Sequence, residues 1–318
     1  MKDFSEYKNF VECYKPYSWE ISKDEIRDQY KNQHSFEINF IRFYKVYQIL
    51  KLIKDNKSKK ILDVGSYPGN LIKLCEYLFE DKLEFTALGL GFDDKKIKRI
   101  KEESSSLINI INTEIDPDFP EPSSFIDWNI KDYDIALLLD VIEHLNNPNF
   151  TLEKINKSLK INGYLIITTD NITNILYIMK MMARGQSPNI HPVMSSIFYR
   201  GDHRPHFKEY SKEELEFLLN YNGFELVRHE YFNRQQGSFY IKGNKMCKKF
   251  FFKNIADFTL NCIVKFFNII PHFRNHHIIL ARKINNYEDI IKSRFQTKSM
   301  SEWLKFREEY YLSKKNNY

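Results

Sequence analysis

Ile61-Leu62-Asp63-Val64-Gly65-Ser66-Tyr67-Pro68-Gly69-Asn70 is the stretch from which the fold is read. The apolar pair Ile61-Leu62 runs into an acid, Asp63, and then into a turn bounded by Gly65 and Gly69. An amphipathic stretch follows from Leu71 to Leu78. The pattern predicts a strand, a tight turn and a helix. A glycine turn lets a ligand reach bare backbone, because no Cβ stands in the way. The ligand then faces the amide end of the following helix. The spacing Asp-x-Gly-x-x-x-Gly is neither the Gly-x-Gly-x-x-Gly of dinucleotide sites nor the Gly-x-x-x-x-Gly-Lys of phosphate loops. The alternative is a plain strand-to-helix turn with no ligand.

The same alternation continues outward. From about 60 to 235, short apolar runs alternate with longer amphipathic ones, which predicts a parallel sheet with helices on both faces. Strands are expected at 60–64, 84–90, 107–112, 133–139, 163–168 and 224–231. Helices are expected at 70–80, 93–103, 150–160, 171–183 and 211–221. Gly163, Gly185 and Gly223 punctuate these elements, and Ser211-Lys212-Glu213-Glu214 reads as a capping box. Before this core, residues 1–57 read as a helical cap with Phe36, Phe40, Ile41, Tyr44, Tyr47, Ile49 and Leu50 on one apolar side. After the core at 58–235, residues 236–275 read as a helical insertion and 276–285 as a final strand around Ile278-Ile279-Leu280. A charged helical tail completes the chain at 286–318.

The chain has 318 residues, 42% hydrophobic and 28% charged, so a packed core is expected and global disorder is not. Its many Lys, Ile, Asn and Phe residues look like the product of an AT-rich bacterial genome. No apolar run approaches the ~20 residues of a membrane span. The polar start, Met1-Lys2-Asp3-Phe4, is unlike a signal peptide. Cys13, Cys75, Cys247 and Cys262 are scattered, as in a reducing compartment, so a cytoplasmic protein is expected. The net charge of +6 permits anionic partners and demands none.

Three further segments arrive in order. The first is Tyr133-Asp134-Ile135-Ala136-Leu137-Leu138-Leu139-Asp140-Val141-Ile142-Glu143-His144-Leu145. The second is Leu159-Lys160-Ile161-Asn162-Gly163-Tyr164-Leu165-Ile166-Ile167-Thr168-Thr169-Asp170-Asn171. The third is Tyr210-Ser211-x-x-Glu214-Leu215 with Gly223-Phe224. With the glycine turn, they resemble the class I S-adenosylmethionine-dependent methyltransferases over residues 58–235 and 277–282. The resemblance implies a Rossmann-like α/β sheet of seven strands, with S-adenosylmethionine as cofactor. It also implies that Asp63, Gly65, Ser66, Tyr67 and Gly69 line the methionine pocket and that Asp140 borders the cofactor. Tyr67 and Gly91 depart from the pattern, which has glycine at the first position and a ribose-binding acid at the second. Asp93 is the nearest replacement acid, with helix capping as its other reading. Glu114, or Asn112, stands where the family contacts adenine.

Asp140, Glu143 and His144 have the spacing of one face of a helical turn. The pattern resembles Glu-x-x-Glu-His in ubiquinone-pathway O-methyltransferases and small-RNA 2′-O-methyltransferases. That resemblance implies a divalent cation (Mg²⁺, Mn²⁺ or Fe²⁺) on Asp140, Glu143, His144 and His206. Without a metal, His206, His203 or His144 is the candidate general base, since histidine titrates near neutral pH. Arg200, Arg204 and Lys208 are candidates to grip an acceptor, and His191 and Asp202 are weaker candidates. The expected reaction is O-methylation of a sugar, glycan or other small hydroxyl compound. Terminal 2′-O-methylation of RNA is the second reading, and a non-catalytic cofactor-fold module the third. Lysines and phenylalanines alternate through 242–274, a pattern that suits a lid, a homodimer contact or a peripheral membrane contact.

Overall fold

The computed structural model describes residues 2–20, 36, 39–55, 57, 59–116, 127–185, 206–234, 241–242, 245–246 and 262–290. His191, Arg200, Asp202, His203, Arg204 and the tail beyond 290 lie outside the described residues.

Each strand of the main sheet coincides with a run of Ile, Leu, Val or aromatic residues. In chain order they are β1 (Lys59–Val64), β2 (Leu83–Gly89), β3 (Leu107–Asn112), β4 (Tyr133–Leu139), β5 (Leu159–Asp170) and β6 (Phe224–Phe232). A two-stranded ribbon, β7 (Ile241–Lys242) and β8 (Lys245–Met246), precedes β9 (His276–Lys283). Seven of them form one sheet in the order β3-β2-β1-β4-β5-β9-β6. β1 to β5 pair in parallel, and β9 runs antiparallel between β5 and β6. The chain leaves β1 first toward β2 and β3 and later toward β4. The crevice between β1 and β4 is therefore the switch point where open α/β sheets bind ligands.

Helices α1 (Lys2–Cys13), α2 (Phe40–Ile53), α3 (Asn70–Phe79), α4 (Asp94–Glu103), α5 (Pro148–Ser158), α6 (Ile175–Arg184) and α7 (Lys212–Tyr221) surround it. Side chains alternate across the sheet with the period of two that strands impose. Ile135, Leu137, Ile166, Ile278 and Leu280 join one core with Tyr47, Leu74 and Phe79. Ala136, Leu138, Leu165, Ile167 and Ile279 join the other with Leu152, Ile155 and Leu219. Both sheet faces are thus covered, which is why the central strands are almost purely apolar.

The structure moves several predicted boundaries. β5 begins at Leu159 rather than 163, because Asn162 continues the chain at φ +65°, a left-handed conformation that asparagine tolerates. α6 starts at Ile175 rather than 171. The side chain of Asn171 instead donates to the carbonyls of His272 and Arg274, and Asn174 caps the helix. The insertion, expected to be helical, includes the β7–β8 ribbon, for which Gly243-Asn244 is the sequence signal. Helical residues do occur in it at 262–267. The capping box forms in full: the amide of Glu214 donates to Ser211 Oγ and the amide of Ser211 to Glu214 Oε2.

Candidate active site

The turn after β1 is pinned to the end of β2. The amides of Gly65 and Ser66 both donate to the carbonyl of Leu88, at 2.7 and 3.0 Å. Gly65 has φ +84°, and a Cβ there would stand 2.4 Å from Val141 Cγ2, so only glycine fits. Asp63 is buried, and burial pushes its carboxyl up to about 7. Asp63 Oδ2 and Ser66 Oγ have no hydrogen-bond partner among the described residues. A ligand bringing donors to this turn would complete both. The cap reaches the turn as well, where the indole of Trp19 donates to the carbonyl of Pro68 at 3.1 Å.

The next wall holds the two departures from the family pattern. The ring of Tyr67 lies over Gly91, with Phe92 edge-on at 5.5 Å. Lys96 Nζ donates to Tyr67 Oη at 3.3 Å and to the carbonyl of Gly91 at 3.0 Å. Asp93 is the N-cap of α4, its Oδ1 accepting from the amide of Lys96 at 2.8 Å. Glu114 turns its Oε1 to the amides of Ile115 and Asp116. Asn112 Oδ1 accepts from the amide of Phe92.

Across the crevice, Asp140 sits past the end of β4 at φ +53°. Thr168 Oγ1 donates to its Oδ1 at 2.6 Å. Arg42 pairs with its Oδ2 from α2, and Arg234 Nη1 lies 3.4 Å from the same oxygen. Burial opposes the charge of Asp140, but Arg42, Arg234 and His276 outweigh it and hold the carboxyl well below the usual range. Arg42 Nε is buried and has no acceptor among the described residues.

Beyond Asp140 lies a second cluster. Glu143 is buried and accepts from Thr169 Oγ1 at 2.7 Å. Burial and the nearby Asp140 push its carboxyl upward. The amide of Phe207 donates to the carbonyl of Glu143 at 2.7 Å, which draws the 206–208 segment against the turn that carries His144. The rings of His144 and His206 meet edge to face at 4.5 Å. His206 Nδ1 stands 2.5 Å from Glu209 Oε1 and 3.3 Å from Asp170 Oδ2. Burial disfavours its charge, yet Glu209, Glu143 and Asp170 push His206 up to about 9.

Ligand atoms of Glu143, His144 and His206 lie within 4.8 Å of one another, and so do those of Asp170, His206 and Glu209. Asp140 belongs to neither group: Arg42 and Arg234 engage its carboxylate, so three of the four expected metal ligands come together without it. Sequence reasoning missed Arg42, Arg234, Asp170, Glu209 and His276. Only Arg42 carried a hint, as a lone cation on an otherwise apolar helix face.

A family model described as a methyltransferase domain matches residues 40–229. The chain belongs to this methyltransferase family. It is 26% identical over 160 residues to a ubiquinone biosynthesis O-methyltransferase of Pelagibacter ubique, covering 48% of this chain and 62% of that protein. It is also 26% identical over 155 residues to a probable polyketide synthase 42 of Dictyostelium discoideum, covering 45% of this chain but 6% of the synthase. The chain therefore spans less than two thirds of these relatives. A crystal structure of a SAM dependent methyltransferase from Archaeoglobus fulgidus is 18% identical with TM-score 0.44, covering 75% of this chain and 93% of that one. The seven-stranded sheet is the class I methyltransferase fold, and S-adenosylmethionine is the cofactor that goes with it. The unmet Asp63 and Ser66 oxygens at the glycine turn suit a cofactor whose methionine half carries an ammonium group.

Proposed function

We propose that this methyltransferase acts on a hydroxyl oxygen of a sugar, glycan or other small hydroxyl compound, with His206 as general base. The observation that supports this most is the hold on His206. Its Nδ1 faces buried Glu209 and Asp170, which leaves Nε2 to take a proton. A hydroxyl is a poor nucleophile until it loses its proton, so a base at the C-terminal edge of β4 and β5 is what an oxygen acceptor requires.

In this reading Asp63 and the turn from Gly65 to Gly69 hold the methionine half of the cofactor. Arg42 and Arg234 add the positive charge that suits its carboxylate. The bound cofactor supplies an electrophilic methyl on a sulfonium that leaves as a neutral thioether. The residues around it align acceptor and methyl and exclude water. A divalent cation, where one takes part, would be held by Glu143, His144 and His206 and would lower the pKa of the acceptor hydroxyl, with His206 then a ligand in place of the base. The resemblance to the ubiquinone O-methyltransferase of Pelagibacter ubique is in keeping with an oxygen acceptor.

The test is release of S-adenosylhomocysteine from the purified chain against a panel of sugars, phenols and amines, with Mn²⁺ or chelator. Turnover on hydroxyl acceptors that falls at least ~100-fold in His206→Ala, while S-adenosylmethionine still binds, is expected. Turnover confined to amines would overturn the proposal.

A further inference from the structure

The rim above this site is apolar on its outside. On the 262–270 segment Phe266 and Ile269 are 66% and 70% exposed, with Ile263 and Ile270 also open to solvent. Their inner neighbours Phe267 and Phe273 pack edge to face at 5.4 Å, so the segment already has an apolar side turned inward. Its outer stripe is therefore a second apolar face. α6 also carries exposed apolar side chains, Met182 at 84% and Leu176 at 38%. The two elements are tied together at their base, where Asn171 and Thr173 donate to the carbonyl of His272. That base adjoins Asp170 at the end of β5, next to His206 and His276.

The charge on this rim has one sign. No Asp or Glu occurs among its described residues, 171–185 and 262–287. The cations Lys180 and Lys265 are exposed among the apolar side chains. Among the described residues of these two elements the exposed charged side chains are lysines, which matches a bilayer whose headgroups are anionic, where the hydrocarbon takes the apolar stripe and the phosphates take the lysines.

We propose that Leu176, Met182, Ile263, Phe266, Ile269 and Ile270 form a docking face for an anionic phospholipid surface. The docking claim stands on the surface alone and is read out without catalysis.

The test is co-sedimentation of the full chain with vesicles of phosphatidylglycerol or phosphatidylcholine. Binding to the former at least ~10-fold over the latter is expected, weakening as salt rises from ~0.1 to ~0.5 M. Phe266→Ser with Ile269→Ser, and separately Lys265→Glu, are expected to lower partitioning about tenfold or more without moving the melting temperature, since these side chains are exposed. No binding to phosphatidylglycerol vesicles, or equal binding to both kinds, overturns the proposal. So does a concentration-dependent dimer that the Phe266→Ser/Ile269→Ser pair dissolves while vesicle binding is absent.

Discussion

The ring of Tyr67 fills the space that a side chain on Gly91 would need: a Cβ at Gly91 would stand 2.8 Å from Tyr67 Cδ2. Taken one at a time in the sequence, each residue departs from the family pattern. In space they are one change. The bulky residue on the turn and the bare residue after β2 fit only together, and Lys96 closes the pair from outside.

This relationship predicts coupling. Gly91→Ala is expected to destabilise the chain by about 2–4 kcal/mol, from the clash and from a backbone at φ +98° that L residues rarely adopt. In a Tyr67→Gly background the clash disappears and only the backbone strain remains, so the same substitution is expected to cost about 1–2 kcal/mol. Denaturant unfolding of the four proteins gives the coupling directly. Strictly additive effects would show that the two positions do not share the space.

Asp63 sets stability against binding. Burial raises its pKa to about 7 from an ordinary 3.8, so the folded state holds a proton that the unfolded state releases. The sign follows: this contribution is full below pH ~3.8 and fades as pH rises to about 7. Asp63→Asn removes the fading and is expected to raise stability at pH 7.5 by about 1–3 kcal/mol. The same change removes a charge facing the methionine half of the cofactor, so calorimetry is expected to show affinity for S-adenosylmethionine falling at least ~10-fold. A variant that is no more stable at pH 7.5, or that binds as well as the parent, contradicts this role.

His206 and Glu209 predict a shift in the pH–rate profile. The base must be neutral to accept a proton, and His206 is pushed up to about 9 by its acids. Turnover in the parent is therefore expected to climb with pH toward about 9. In Glu209→Gln one of those acids is gone, so the rising limb is expected to move to lower pH while the KM for the cofactor stays put. A structural role for Glu209 would lower the rate without moving the limb, and an unmoved limb rejects the base assignment.

The strands, the glycine turn and the capping box were legible because each is written in a few neighbouring residues: period-two alternation, punctuation by glycine, Ser211 three before Glu214. Asp93 was legible as two readings, and the capping contact is present. The charged centre was not legible. Arg42 meets Asp140 across 98 positions, and Arg234 meets Asn39 across 195. Such pairs follow from where the cap and β6 come to rest, which no local period encodes. The expected metal set is met only in part for the same reason: Glu143, His144 and His206 come together without Asp140. Spacing placed Asp140 with Glu143 and His144, but two arginines from distant elements claimed it.

A pair of contacting histidines, His277 buried and His229 half-buried, predicts the response to acid. His277 is buried, with Nε2 3.0 Å from the carbonyl of Tyr210 and Nδ1 2.8 Å from His229 Nε2. A ring that donates from Nε2 accepts at Nδ1, so both rings fit as neutral tautomers in a chain toward the carbonyl. Burial pushes His277 down to about 3 and His229 down to about 4. Lys212, Glu213, Glu216 and Glu230 face His229, and His276 and Asp170 lie near His277, so the acids relieve only part of this. Below an ordinary histidine pKa of ~6.5, the unfolded chain takes up protons that the folded chain refuses. Stability from this pair is therefore full above pH ~7 and drops as pH falls through ~6.5 toward about 4. His229→Gln keeps a donor to His277 and removes one titrating ring. Urea unfolding at pH 7.5 and pH 5 is expected to show a smaller acid loss in the variant than in the parent, by about 1 kcal/mol. Equal losses in the two proteins would mean that the histidine chain does not govern acid sensitivity.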